Sequence, residues 1–218
     1  MSAPGWAAAR LDEVPTHLLP GGARRIAIRE HLDVQAFGIN AYSGDAGQTV
    51  IDEHDEAQAL AAGHQELYVV LAGRASFTVG GEEVDAPPGT LVFVGDLGTR
   101  RGAVAREDGT TILAVGAPAG EAYTVGRWEP MAGFFDFYTR GDYEGGIAFL
   151  EECLRRDPGY PGALFNLACA ESLADRADDA LEHLREAIGG EPKLRQNARD
   201  DEDFAPLRDD PRFRELVR

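Results

Sequence analysis

The apolar residues of this chain change their spacing once, and that change limits the folds open to it. From Arg24 to Gly116 the sequence consists of short runs rich in β-branched and aromatic residues, separated by Gly, Pro and Asp. Such runs are typical of strands in a sandwich or barrel. From Glu129 onward, apolar residues recur every three or four positions, as in amphipathic helices. Because Pro118 and Gly120 lie between the two patterns, we predict an α+β protein of two domains.

The two patterns also predict where each domain begins and ends. A β-barrel is expected at residues 24–118, after an N-terminal extension at residues 1–23. A linker at residues 119–128 leads to an all-α module at residues 129–218.

Seven segments of the first half are predicted as strands: RRIAIRE, VQAFGINAY, ELYVVLA, RASFTV, GTLVFV, GAVARE and TTILAVG. In FTVGGEEV, Gly80 and Gly81 predict a tight hairpin, since both can adopt positive φ. Both alternating sets of ELYVVLA are apolar, which is typical of a strand that is covered on both faces. A second sheet, a partner subunit or the helical half would have to cover its outer face.

The helical half contains an internal repeat. Shifting GDYEGGIAFLEECLRRDP by 34 residues superimposes it on DRADDALEHLREAIGGEP. ALFNLACA precedes the second copy, and Ala168 and Ala180 are small enough for two helix backbones to approach closely. The segment from Arg127 to Leu194 therefore resembles tetratricopeptide repeats, which implies helical hairpins that bind a protein or a peptide.

The two ends of the helical half need separate interpretation. In the first copy, Gly133 and Phe134 depart from the repeat pattern, so its first helix, MAGFFDFYTR, could instead pack on the barrel. At the other end, four apolar residues are expected to form C-terminal capping helices over the last repeat: Phe204, Leu207, Phe213 and Leu216.

Two motifs in the β-rich half outline a candidate pocket. Glu66 is followed by LYVVLA and Gly73, and GGEEVDAPPGTLVFV leads into a second motif at Gly89. On these residues, the segment from about Thr49 to Gly116 resembles the cupin family, whose fold is a jelly-roll β-barrel. The resemblance implies a pocket for a sugar, an effector or a small acid. In many cupins, three histidines and a glutamate hold Fe, Mn, Ni or Zn in that pocket.

The histidines of the cupin metal motif are missing from this sequence. The positions of the paired histidines hold only apolar residues: Ala62 and Leu60, or Ala61 and Ala59 with the alternative spacing. The third histidine is replaced by Arg100, or by Arg101 if the loop shifts by one residue. Since a guanidinium has no lone pair for a cation, we favour a degenerate motif without a bound cofactor.

A displaced set of metal ligands is the alternative. His64 has the strand parity of Glu66, and His54 lies shortly upstream in the acidic segment DEHDE, which could fold over the barrel opening. His54, His64 and Glu66 would form a two-histidine, one-carboxylate set of the kind that binds non-haem iron. With such a set the protein would be a metal-dependent dioxygenase or isomerase that acts on a small acidic substrate.

The arginines near the opening suggest a second kind of site. Arg100 and Arg101 could bind a carboxylate or phosphate by forked hydrogen bonds, with Tyr68 and Phe77 on the lining. In an acidic protein, the same arginines could equally do no more than neutralise Glu66 and nearby acids.

Charge and composition exclude some classes of partner. The formal net charge is −17, with 8 basic and 17 acidic residues up to Gly126 and 13 and 21 after it, so neither half is suited to nucleic acid or to anionic lipid. With no membrane-spanning run, no visible signal peptide and only two cysteines, we expect a cytoplasmic protein. We favour a non-enzymatic homodimer that is paired through the barrel. A small anionic ligand is expected in the barrel mouth, and a protein or peptide partner on the helical repeats.

Overall fold

The computed structural model describes residues 7–57 and 63–218 and divides the chain into two compact units, Met1–Gly126 and Arg127–Arg218. The first unit is built mainly of antiparallel strands and the second of helices, which confirms the predicted α+β class with two domains. Residues 1–6 of the predicted N-terminal extension lie outside the described residues.

Strands of the described residues form two antiparallel sheets in the first unit. They are β1 Thr16–Leu18, β2 Arg24–Ile26, β3 Gly38–Gly44, β4 Thr49–His54, β5 Gln65–Ala72, β6 Ala75–Val79, β7 Glu82–Ala86, β8 Leu91–Val94, β9 Arg101–Ala105 and β10 Thr110–Ala117. One sheet has the order β1-β2-β3-β10-β5-β8, and the other has the order β4-β9-β6-β7.

The core of the first unit lies between the two sheets. Tyr68, Val70 and Ile112 of the larger sheet pack in one cluster with Phe77 and Ala103 of the smaller sheet, and each is at most 3% exposed. Burying a large apolar side chain of this kind contributes roughly 1.5–3 kcal/mol. Side chains alternate along a strand. The core-facing side of β5, which carries Tyr68 and Val70, therefore also carries Glu66, near the start of the strand.

The outer face of β5 is apolar and continues onto the edge strand β8. Leu67 pairs with Phe93 across the two strands, and Val69 pairs with Leu91. Leu91 and Phe93 are 65% and 64% exposed, and Leu71 is 45% exposed. The second sheet packs against the other face of β5. Of the three possible covers named from the sequence, the second sheet is therefore not the one that covers this outer face.

Two of the strand predictions have different outcomes. FTVGGEEV forms the expected hairpin: β6 pairs with β7, and Gly80 and Gly81 both have positive φ. RRIAIRE, however, is not one strand, because it forms β2 and then a short helix, α1, at Ile28–His31. Ile26, Ala27 and Ile28 are all buried, whereas a strand with one solvated face would expose alternate residues.

The second unit consists of helices. They are α2 Phe134–Tyr138, α3 Tyr143–Arg156, α4 Pro161–Leu173, α5 Ala177–Gly190, α6 Leu194–Asp200 and α7 Pro211–Leu216, with 3₁₀ turns at Glu129–Met131 and Glu202–Leu207. The helices α3 and α5 begin and end at equivalent positions of the internal repeat. No helix among the described residues is both long and apolar enough to cross a bilayer.

Small residues and a capping cluster hold the helical unit together. Ala168 and Ala180 are fully buried where α4 and α5 meet, as the repeat predicted. Phe204, Leu207 and Phe213 are buried against the same cluster, so the C-terminal turns cover apolar surface that the last repeat would otherwise expose. Phe134 is buried within the helical unit, against Ile147 and Leu150.

Candidate functional site

Three strands bring charged side chains together at one end of the barrel. His54 is the last residue of β4 and Arg101 is the first residue of β9, and the register pairs them directly. Glu66 lies near the start of β5, in the other sheet. Its carboxylate faces the same interior as Tyr68, so the two sheets meet here through polar groups rather than through apolar packing.

The central contact of this end is an ion pair between Glu66 and Arg101. Nη2 and Nε of Arg101 donate to Oε2 of Glu66 at 2.5 Å and 2.9 Å, and the hydroxyl of Tyr68 donates to the same oxygen. Nη1 of Arg101 donates to the carbonyl of Thr99 at 3.2 Å. The side chain of Arg101 is fully buried and that of Glu66 is 16% exposed, so the pair is a structural connection between the sheets.

The surroundings of this pair keep both partners charged. Burial opposes ionisation of Glu66, but hydrogen bonds from His54, Tyr68 and Arg101 outweigh it and lower the pKa to about 2. Burial likewise opposes the charge of Arg101, yet its hydrogen bonds to Glu66 hold its pKa above the usual value. Burial and the negative charge of Glu66 raise the pKa of Tyr68, so its hydroxyl stays a donor.

His54 is placed between two carboxylates. Its Nδ1–H donates to the carbonyl of Asp52 at 2.7 Å, which leaves Nε2 facing Glu66 Oε2 at 3.5 Å and Glu56 Oε1 at 3.8 Å. Burial lowers the pKa of His54, but the contacts with Glu66 and Asp52 more than compensate, so the pKa is raised. The imidazolium form therefore suits this position.

Glu56 is the member of the cluster that was not singled out from the sequence. Its Oε1 lies 3.6 Å from Nη2 of Arg101, and its Oε2 accepts a hydrogen bond from the backbone N–H of His64 at 3.1 Å. Its only signal in the sequence is its place in DEHDE. His54, Glu56 and Glu66 together present ligand atoms that all lie within 4.8 Å of one another.

The other candidate residues lie apart from these ligand atoms. The ring of His64 contacts that of Tyr123 in a tilted arrangement, with centroids 5.4 Å apart, and His64 is not in the set that contains His54 and Glu66. The side chain of Arg100 is 61% exposed and pairs with Glu53 at 2.8 Å. Phe77 lies beneath Tyr68 in the core, with ring centroids 5.6 Å apart. The positions 59–62, where the paired histidines were sought, lie outside the described residues.

These residues do not fit the divalent metal that the resemblance to cupins implies. Oε2 of Glu66, the oxygen that a metal would share with His54 and Glu56, already accepts three hydrogen bonds, from Arg101 and Tyr68. A cation there would also lie within a few ångströms of the guanidinium of Arg101, whose positive charge opposes its binding and already pairs with both carboxylates. In this arrangement, Arg101 supplies the positive charge that a metal ion would supply.

One comparison with known protein families agrees with the prediction for the helical half. A tetratricopeptide repeat model matches residues 137–199. No curated protein matches the chain. The barrel resemblance and the tetratricopeptide-type helices that the sequence predicted are confirmed, as two facing antiparallel sheets followed by repeated helical hairpins.

Solved structures similar to this chain include three bacterial proteins. KdgF from Halomonas sp. is 21% identical with a TM-score of 0.40, over 49% of this chain and 90% of that protein. A cupin protein from Bacteroides fragilis is 18% identical with a TM-score of 0.42, over 57% and 95%. A predicted oxalate decarboxylase from Thermotoga maritima is 19% identical with a TM-score of 0.42, over 50% and 97%.

Proposed function

We propose that this protein is a non-catalytic adaptor, in which the barrel pairs two copies of the chain and the helical repeats bind a partner protein. The observation that carries the proposal is the buried guanidinium of Arg101 at the mouth of the barrel, bonded to Glu66. The mouth is occupied by an internal ion pair, and the core below it is filled by Tyr68 and Phe77. The exposed surfaces are therefore the places where this protein would bind others.

An anionic ligand in the mouth is less well supported than this role. Arg101 is already neutralised by Glu66 and lies near Glu56, while Arg100 is paired with Glu53 at the surface. A carboxylate or phosphate entering the mouth would approach two carboxylates before it reached a cation, which is unfavourable.

The competing function, a metal-dependent enzyme, is favoured by one observation: His54, Glu56 and Glu66 are close enough to share an ion. Metal analysis of protein purified without a histidine tag, followed by titration with Zn²⁺, Mn²⁺, Fe²⁺ and Ni²⁺, separates the two functions. We expect no stoichiometric metal and no binding. Near-stoichiometric metal that is lost in His54→Ala but kept in His31→Ala, an exposed histidine of α1, would contradict the adaptor proposal.

The pairing of two copies is supported by the apolar outer face of β5 and β8. Leu71, Leu91 and Phe93 form an exposed apolar patch on an edge strand and its neighbour. Monomers seldom leave large contiguous apolar patches in water, and an unpaired edge strand can pair with its own copy through main-chain hydrogen bonds. A two-fold axis that stacks this face on its own copy would cover the patch, because the same patch would then face itself, whereas edge pairing alone would leave it in water, so we favour face-to-face packing.

Light scattering after size exclusion, over a series of concentrations, tests this pairing. We expect twice the chain mass of 23.5 kDa. Phe93→Gln should weaken association about tenfold or more, since a buried phenyl group contributes about 2 kcal/mol. Phe37→Gln is the matched control, because Phe37 is also exposed (39%) but is not part of the patch. A wild-type protein that is monomeric throughout, or equal effects of the two substitutions, would refute pairing through β8.

A further inference from the structure

The helical unit contains a cleft between α5, α6 and α7 that the repeat pattern does not account for. Its volume is about 480 Å³, within the range of pockets that bind small ligands or a few peptide side chains. The cleft is lined by Arg185, Ile188, Gly189, Arg195, Arg212, Glu215 and Leu216. Three of these residues are arginines, although the unit as a whole has 13 basic and 21 acidic residues.

Two of the three arginines form no ion pair among the described residues. Within residues 63–218 and 7–57, no carboxylate lies at ion-pair distance from Arg185 or Arg195. Arg195 donates Nε to the carbonyl of Leu216 at 3.2 Å, which fixes its side chain and leaves its terminal nitrogens for another acceptor. Arg212, in contrast, is already paired with Asp178 and Asp210, at 2.8 Å and 2.7 Å.

The same cleft has an apolar wall. Ile188 of α5 is 6% exposed, and Leu216, at the end of α7, packs against the apolar core of the unit. A ligand that fits both features must carry negative charge and an apolar group a few ångströms apart. An inorganic anion meets only the first requirement, whereas an acidic peptide with an aliphatic residue meets both.

We propose that this cleft binds an acidic peptide segment of the partner protein. The carboxylates of the segment would accept forked hydrogen bonds from Arg185 and Arg195, which come from different helices. An aliphatic side chain of the segment would pack against Ile188 and Leu216. This inference rests on the proposed function, since it identifies the chemistry of the partner that the helical repeats bind.

Fluorescence anisotropy with a labelled peptide, Asp-Glu-Leu-Asp-Glu-Leu, tests the proposal on the full chain. Arg185→Gln and Arg195→Gln should each weaken binding about tenfold, because each removes a charge-assisted hydrogen bond to the peptide. Arg156→Gln should leave binding unchanged, since Arg156 is an exposed arginine of α3 outside the cleft. Glu215→Gln removes the one acid of the cleft lining, so it should strengthen peptide binding severalfold. Poor folding of a variant would only weaken binding, so a gain in this variant cannot be explained by misfolding.

Two further probes define the ligand. Asp-Glu-Gly-Asp-Glu-Gly should bind more weakly than the leucine peptide, because it cannot use the apolar wall, and succinate should not compete at equal concentration. If succinate binds as tightly as the peptide, the cleft is a small-anion site and the proposal is overturned.

The outcomes also separate this inference from the adaptor function. A peptide that binds wild type and both arginine variants equally would overturn the cleft while leaving a peptide-binding helical unit. Absence of any peptide binding would overturn the proposed peptide site but not the proposed role of the barrel. Metal content and dimer formation test that role, and they do not involve the cleft.

Discussion

Replacing Glu66 by glutamine tests whether the mouth of the barrel is held by charge. Glutamine has nearly the same shape as glutamate, so the change removes the negative charge and little packing. In the folded protein the pKa of Glu66 is about 2, against an ordinary value of 4.5. A carboxyl group with a lowered pKa stabilises the fold above its unfolded pKa, and this stability is lost as the pH falls through the folded pKa.

The size of this effect follows from the two pKa values. The ionisation of Glu66 contributes about 3 kcal/mol to the free energy of unfolding at pH 5 and about 1.4 kcal/mol at pH 3. The stability difference between wild type and Glu66→Gln should therefore decrease by about 2 kcal/mol between pH 5 and pH 3. His54 stays protonated over this interval, because its raised pKa lies above both pH values. In the wild type, its own contribution is therefore the same at both pH values.

Hydrogen exchange followed by mass spectrometry is the appropriate measurement, because it reads the opening free energy of β5 and β9 separately from the helical unit. Glu83→Gln serves as the matched control, since Glu83 is an exposed glutamate on β7 of the same barrel. A difference between wild type and Glu66→Gln that is the same at pH 5 and pH 3 would show that the pKa of Glu66 is not lowered by folding. The structural role given to the ion pair would then be wrong.

Two further substitutions test other parts of the structure. Arg101→Met removes the internal guanidinium and frees the oxygens of Glu56 and Glu66 to bind a metal ion. Zn²⁺ should therefore raise the melting temperature of this variant. It should not raise that of wild type or of the double variant Arg101→Met with His54→Ala. The idea of a guanidinium in the place of a metal fails if zinc acts equally on all three. Ala168→Leu should destabilise the helical unit by about 1–3 kcal/mol, because it overfills the contact between α4 and α5. Urea unfolding, followed by the circular dichroism of the helices, measures this change in the free energy of unfolding. No decrease would show that Ala168 is not at a helix crossing. Ala205→Leu, at an exposed alanine, is the control.

The fold could be predicted further than the site because it depends on repeated patterns. The 34-residue offset places α3 and α5 in equivalent positions, and the pair Gly80 and Gly81 specifies a hairpin. These signals come from many residues or from strong backbone preferences, so one local exception does not change them. RRIAIRE lacked such support, and its β-branched residues could be buried equally well in a strand followed by a helical turn.

The site depends instead on single-residue register, which the sequence leaves open. A shift of one residue moves a side chain to the other face of a strand, and this decides between Arg100 at the surface and Arg101 in the interior. His64 shares the parity of Glu66 but lies just before β5 begins, where alternation no longer fixes the direction of a side chain. Glu56 follows β4 in a connection whose path no periodicity describes.

The Glu66–Arg101 pair explains how this barrel can keep a buried carboxylate at its mouth. A buried carboxylate without a counter-charge is strongly unfavourable, so a barrel that retains Glu66 on β5 needs a cation at the mouth. Arg101 provides that cation covalently, and three of its nitrogens are hydrogen-bonded, to Glu66 and to Thr99. Once the mouth is satisfied internally, its polar groups have few hydrogen-bonding positions left for a ligand, which is why we propose that recognition uses other surfaces. Two other surfaces still have groups available to a partner. The apolar patch on β5 and β8 has exposed side chains, and the cleft of the helical unit has two arginines that form no ion pair among the described residues.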